Sequence, residues 1–152
     1  SRAQLKARIM GALGGRAAED VVFGHSEITT GAGGDIQMVA SLARQMVTKF
    51  GMSQLGPMAL EGGNQEVFLG RDLMTRSDVS DAISKQIDEQ VRLIVMKCYE
   101  ETVELVGQHR QAMDKLVEQL IEQETLDGDE FRVVVGEFAE IPEKERFSPL
   151  LA

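Results

Sequence analysis

Residues 36–50, IQMVASLARQMVTKF, place Ile36, Val39, Ala40, Ala43, Met46, Val47 and Phe50 at i, i+3, i+4, i+7, i+10, i+11 and i+14. That spacing returns apolar side chains to one face of a 3.6-residue helix and predicts an amphipathic helix that buries this face. Gly51 stands where such a helix ends in the left-handed conformation. Toward the N-terminus, Leu5, Ile9, Ala12, Leu13, Ala17 and Val21 recur at three- and four-residue intervals. Residues 2 to about 23 therefore read as another amphipathic helix. Gly14-Gly15 inside it costs about 1 kcal/mol per glycine, which leads us to expect a close neighbour on that side. Between the two helices, residues 25–34, HSEITTGAGG, are too rich in Gly and Thr to be anything but a loop.

Toward the C-terminus, Met58-Ala59-Leu60 and Val67-Phe68-Leu69 flank Glu61-Gly62-Gly63-Asn64 and fit a small β-hairpin around residues 57–70. From Ser80, an expected N-cap, Ile83, Ile87, Val91, Ile94, Cys98, Thr102 and Leu105 mark the longest stripe, which ends at Gly107. Met113, Leu116, Val117, Leu120 and Ile121 mark a further helix, and Phe131, Val134, Val135 and Phe138 a short last one. Asp127 with Glu130 resembles a capping box opening it. Pro142 and Pro149 lie in an extended tail. The fold class expected is all-α, with the hairpin as its one β element.

The chain has 152 residues, 43% hydrophobic and 27% charged, with 3 Pro. One packed domain is expected rather than a disordered segment. Cys98 is the single cysteine, so neither a disulfide framework nor a thiolate metal cluster holds the fold, and a reducing compartment fits. No apolar run approaches the length of a membrane span. The start, Ser1-Arg2-Ala3-Gln4-Leu5-Lys6, has neither an initiating Met nor a signal-peptide core, so a soluble fragment of something longer is expected. Net charge is -9, divided as +2 over residues 1–60, -4 over 61–113 and -7 over 114–152. An acidic C-terminal part argues against nucleic acid as a partner, since phosphate binding needs clustered Lys and Arg. The basic and acidic parts could also face each other between neighbouring copies, although a solvated surface is the plainer account.

No complete active site can be read from the residues. There are two histidines, His25 and His109, and no H-E-x-x-H, P-loop or G-x-S-x-G motif. Gly31-Ala32-Gly33-Gly34 before a helix could cradle an anion, but the acid at Asp35 would repel one. Asp35 itself is either a helix N-terminal acid, the plainer reading, or a metal ligand on a well-packed helix. Glu19 and Asp20 sit at the unfavourable end of the first helix; solvent exposure accounts for Asp20, and Glu19 stays open. Asp127-Gly128-Asp129-Glu130 lacks the ligand ladder of a calcium loop and reads as a helix cap. The eight Met residues read as core filling, and Cys98 as a buried small hydrophobe.

Three blocks carry a family resemblance: residues 11–24, GALGGRAAEDVVFG; residues 29–35, TTGAGGD; and residues 43–53, ARQMVTKFGMS. With Val67-Phe68-Leu69-Gly70-Arg71 and residues 124–131, ETLDGDEF, they resemble the peptidase domain of the FtsH family over roughly residues 1–140. FtsH proteins are membrane-anchored, ATP-dependent zinc metalloproteases. Gly33-Gly34-Asp35, and the tail opening Ala139-Glu140-Ile141-Pro142, resemble the cyanobacterial and plastid branch, which acts at the thylakoid membrane. The resemblance implies a helical peptidase domain over 1–140 followed by an extended tail, 141–152. It implies that Asp35 is the third protein ligand of a zinc ion whose other ligands are the two histidines of an upstream H-E-x-x-H helix. Glu19 matches an acid that lies near the zinc without ligating it. No catalytic residue is then expected in this chain, which alone should neither cut peptides nor hydrolyse ATP. ATP and Mg belong to a module further upstream, as do the membrane anchors. The whole protein would form homo- or hetero-hexamers and degrade polypeptides at a thylakoid or plasma membrane, its peptidase domain on the stromal or cytoplasmic side. The competing expectation is a pseudoprotease of the same lineage, or another non-catalytic helical interaction module.

Overall fold

The computed structural model describes residues 1–60 and 81–141. Its elements are α1 (Arg2–Phe23), a 3-10 turn (His25–Glu27), α2 (Gly33–Thr48), α3 (Asp81–Gln108), α4 (Arg110–Gln123) and α5 (Gly128–Gly136). Among the described residues there is no strand, and the fold is all-α. The expected hairpin falls mainly on residues outside the described ones, as do the cap at Ser80 and nearly all of the tail. Residues 57–60, its first part, have no regular structure.

The chain divides into two compact units, Ser1–Glu104 and Leu105–Ala152. In the first, the periodic positions read from the sequence form the core: Ile9 and Leu13 of α1, Val39, Ala43 and Met46 of α2, and Cys98 of α3. Leu5, Leu42, Val91, Ile94 and Tyr99 pack around them. Ser1 caps α1 in a reciprocal box. Its hydroxyl accepts from the Gln4 N–H, and its amino group donates to Gln4 Oε1 at 2.7 Å.

α2 ends at Thr48, whose buried hydroxyl donates back to the Arg44 carbonyl at 2.9 Å. Three residues on, Gly51 has φ +59, and a Cβ there would stand 2.6 Å from Pro57 Cα. Only glycine fits this turn, which folds residues 52–60 back so that the Leu60 N–H reaches the Thr48 carbonyl at 2.8 Å.

Two expectations need correction. The Gly14-Gly15 pair has no close neighbour among the described residues; a Cβ at either would meet nothing within 4 Å. And the apolar stripes are not buried from end to end. Ile36 and Phe50, at the two ends of the α2 stripe, are exposed, as is Leu105 of α3. Burial on α2 falls on Val39 to Thr48, and the stripe outruns that stretch at both ends. The methionines likewise divide: Met46 is buried, whereas Met58 and Met96 are exposed.

In the second unit α4 packs on α5, with Ala112 and Val134 buried. Asp127 opens α5 as read: its Oδ1 accepts from the N–H groups of Asp129 and Glu130, both at 2.8 Å, and Glu130 Oε2 accepts from the Asp127 N–H at 2.9 Å. The cap spends Oδ1 on backbone donors, as a helix N-cap does.

Candidate functional site

α2 begins without a side-chain cap, because Ala32 holds that position. The loop before it is instead secured from α1. Glu19, in the last turn of α1, accepts from the Thr29 N–H on Oε2 and from the Thr29 hydroxyl on Oε1, both at 2.8 Å. Two hydrogen bonds from one residue to the two oxygens of one carboxylate fix orientation as well as position. The Thr29 N–H first, and its hydroxyl second, hold the Glu19 carboxyl below its usual pKa.

From Thr29 the chain runs to Asp35 along a ladder of short contacts. Thr29 Oγ1 accepts from the Gly31 N–H at 3.3 Å. The Gly33 N–H donates to the Thr30 carbonyl at 3.0 Å, and the Ile36 N–H to that of Ala32 at 2.9 Å. These bonds use the N–H groups of Gly31 and Gly33 that an anion cradle would have needed. Asp35 follows in the first turn of α2, exposed, and its carboxylate makes no hydrogen bond or ion pair among the described residues.

Asp20 departs from its reading as a merely solvated acid. Its side chain is only 20% exposed. Oδ2 accepts from the Tyr99 hydroxyl at 2.7 Å, and Oδ1 lies 3.6 Å from Nδ1 of His25. Sequence reasoning missed Tyr99, which stands 79 residues from Asp20; a single sequence carries no periodicity that links them. Cys98 is buried as expected, and desolvation pushes its thiol pKa up.

His109 lies in the second unit, at the N-cap of α4. Among the described residues no three His, Cys, Asp or Glu side chains stand together so as to hold a metal ion. At the start of α2 the geometry supplies an exposed carboxylate, unpaired among the described residues and enough for one ligand of a larger set. Such a carboxylate fits a zinc ion, which takes Asp oxygen alongside His nitrogen.

The family model for peptidase family M41 matches residues 1–134. The chain belongs to peptidase family M41. Its M41 relatives include the "ATP-dependent zinc metalloprotease FtsH" of Trieres chinensis, 49% identical over 145 residues, which are 95% of this chain and 22% of the relative. "ATP-dependent zinc metalloprotease FTSH 8, chloroplastic" of Arabidopsis thaliana is 47% identical over 146 residues, 96% of this chain and 21% of that one. The "ATP-dependent zinc metalloprotease FtsH" of Cyanidium caldarium is 45% identical over 137 residues, 90% and 22% of the two chains. The M41 chain thus spans about a fifth of the length of these relatives. These relatives come from diatom, red algal and chloroplast branches, in accord with the cyanobacterial and plastid branch that Gly33-Gly34-Asp35 and the Ala139-Glu140-Ile141-Pro142 tail resemble.

Proposed function

We infer that this chain is the C-terminal part of the peptidase domain of an ATP-dependent zinc metalloendopeptidase, spanning residues 1–140 with 141–152 as its tail, and that Asp35 is its carboxylate ligand to zinc. The observation that carries the reading is the Asp35 carboxylate, exposed in the first turn of α2 and without a hydrogen bond or ion pair among the described residues. A ligand already engaged by a cation or a donor would have to be released before binding metal. This one is not.

Asp35 would hold the zinc together with two histidines of an H-E-x-x-H helix upstream of Ser1. A zinc ion held there by three protein ligands would supply Lewis-acid activation of a water near neutral pH. Glu19 does not ligate; it holds Thr29 and so the loop that ends in Asp35. ATP and Mg would be bound by an upstream module that feeds polypeptides to a hexameric ring. Among the described residues no helix is long and apolar enough to cross a membrane, so anchoring to a thylakoid or plasma membrane would also rest on upstream segments.

The test is Asp35→Asn in the full-length protein. Neutralising the carboxylate removes charge that offsets the metal, so zinc affinity should fall and peptidase activity drop about 10-fold or more, with ATP hydrolysis kept. Unchanged proteolysis at limiting zinc rejects the assignment. The 152-residue chain should bind zinc weakly, whereas one extended through the H-E-x-x-H helix should hold about one zinc per chain. If the residues before Ser1 lack those histidines, the pseudoprotease reading replaces this one.

A further inference from the structure

Asp20 joins three segments of the first unit. It lies in the last turn of α1, accepts from Tyr99 of α3 at 2.7 Å, and faces His25 of the 3-10 turn at 3.6 Å. The Tyr99–Asp20 bond is partly buried, whereas the Arg44–Asp88 and Gln54–Gln90 bonds that also tie α3 to this unit are exposed. Arg16, one turn before Asp20, stands over the Tyr99 ring at 5.9 Å from its centre. Glu19 precedes Asp20 directly, so the turn that Tyr99 fixes is the turn from which Glu19 reaches Thr29.

We propose that Tyr99 and Asp20 are positioning residues for the metal-ligand loop: the Tyr99 hydroxyl orients the last turn of α1, and through Glu19 and Thr29 that turn sets where Asp35 stands. The inference rests on the reading of Asp35 as a zinc ligand but concerns residues outside the ligand set. At this helix end the Gly24 N–H donates to the Asp20 carbonyl, and the Tyr99 hydroxyl and the Glu19–Thr29 bonds add side-chain ties. The hydroxyl of Tyr99 is the tie that comes from α3. The Tyr99–Asp20 bond is partly shielded from water, so water competes for it less than for the exposed bonds.

Tyr99→Phe removes the hydroxyl and keeps the ring and its contact with Arg16; Asp20→Ala removes the acceptor. Asp20→Asn keeps a carbonyl oxygen that accepts from Tyr99, and should rescue. In the 152-residue chain, the Thr29 amide should exchange its hydrogen about tenfold faster in Tyr99→Phe and Asp20→Ala than in the parent or Asp20→Asn, while the Val47 amide in the core of α2 keeps its rate. In the full-length protein, the same two variants should lose zinc to a chelator several-fold faster and lower kcat with KM unchanged. An unchanged Thr29 rate in Tyr99→Phe overturns the proposal. Equal acceleration at Thr29 and Val47 overturns it too, since the bond would then only stabilise the unit as a whole. Asp35→Asn, run alongside, separates the two failures. If that variant loses zinc and Tyr99→Phe does not, positioning is refuted and the ligand reading stands; if it retains zinc, the ligand reading fails and the positioning claim fails with it.

Discussion

Thr29 offers Glu19 both of its donors, so a carboxylate of α1 ties down the loop ahead of the Ala32 cap position of α2. The lowered pKa of Glu19 gives this clamp a pH dependence whose sign follows from linkage. A carboxyl depressed in the folded state contributes its stabilisation fully above its unfolded value. That contribution is lost as pH falls through the folded one. We therefore expect the Thr29 amide resonance to hold its position through the usual glutamate range and to move only below it. A midpoint at the ordinary glutamate value would show that the clamp does not favour the charged form. Glu19→Ala should abolish the titration and speed Thr29 exchange, and Glu19→Gln, which keeps one acceptor, should do so less. At this scale the sequence was legible where partners are close along the chain. Asp127 and Glu130 are three residues apart and announce their box. Tyr99 and Asp20 meet only after α1 and α3 have packed, so no local pattern gives them away.

The elements were legible because their cause is local as well. A 3.6-residue period marks α1, α2 and the long α3 without reference to any neighbour, and the core residues of the first unit come from those stripes. Less legible was how far along each stripe burial runs, since that depends on which neighbour ends where. Ile36 and Phe50 fit the period yet remain exposed. Two substitutions test the element ends. Asp127→Ala should destabilise α5 by about 1 kcal/mol through loss of its cap, read as a lower midpoint for the second unit in denaturant. Gly51→Ala should cost the first unit more than about 1 kcal/mol, because it meets both a positive φ and the backbone of Pro57. A neutral result for Gly51→Ala would mean that the turn after α2 relaxes freely.

Over the whole molecule, charge and exposed apolar surface suggest different modes of association. Charge runs from +2 in residues 1–60 to -7 in residues 114–152. Exposed apolar side chains also recur on single helix faces: Leu93 and Met96 on α3, and Val117, Leu120 and Ile121 on α4, with Ile121 76% exposed. Apolar surface of this kind is favoured to associate at any ionic strength, whereas paired charges are screened within about 3 Å at 1 M salt. We expect light scattering to give a mass above the monomer that persists at 1 M salt and falls in Ile121→Glu. A mass that drops with salt in the parent chain would assign assembly to the charge asymmetry instead.

Burial of Cys98 also makes the first unit self-reporting. The chain carries one thiol, and it lies 3% exposed among Ile9, Leu13, Val39, Ala43 and Met46, where α1, α2 and α3 meet. Cys98 also lines a pocket with Arg2, Lys6, Met46, Ile94 and Lys97, so a thiol reagent reaches it as these helices part or that pocket widens, while desolvation keeps the thiolate scarce. The rate of alkylation at low reagent concentration thus serves as a clock for the opening of this junction, with no probe added and no side chain replaced. Tyr99 is the next residue along α3, so the same clock should run at the parent's pace in Tyr99→Phe if the hydroxyl governs only the end of α1. A faster clock would mean that losing one hydrogen bond loosens the junction itself.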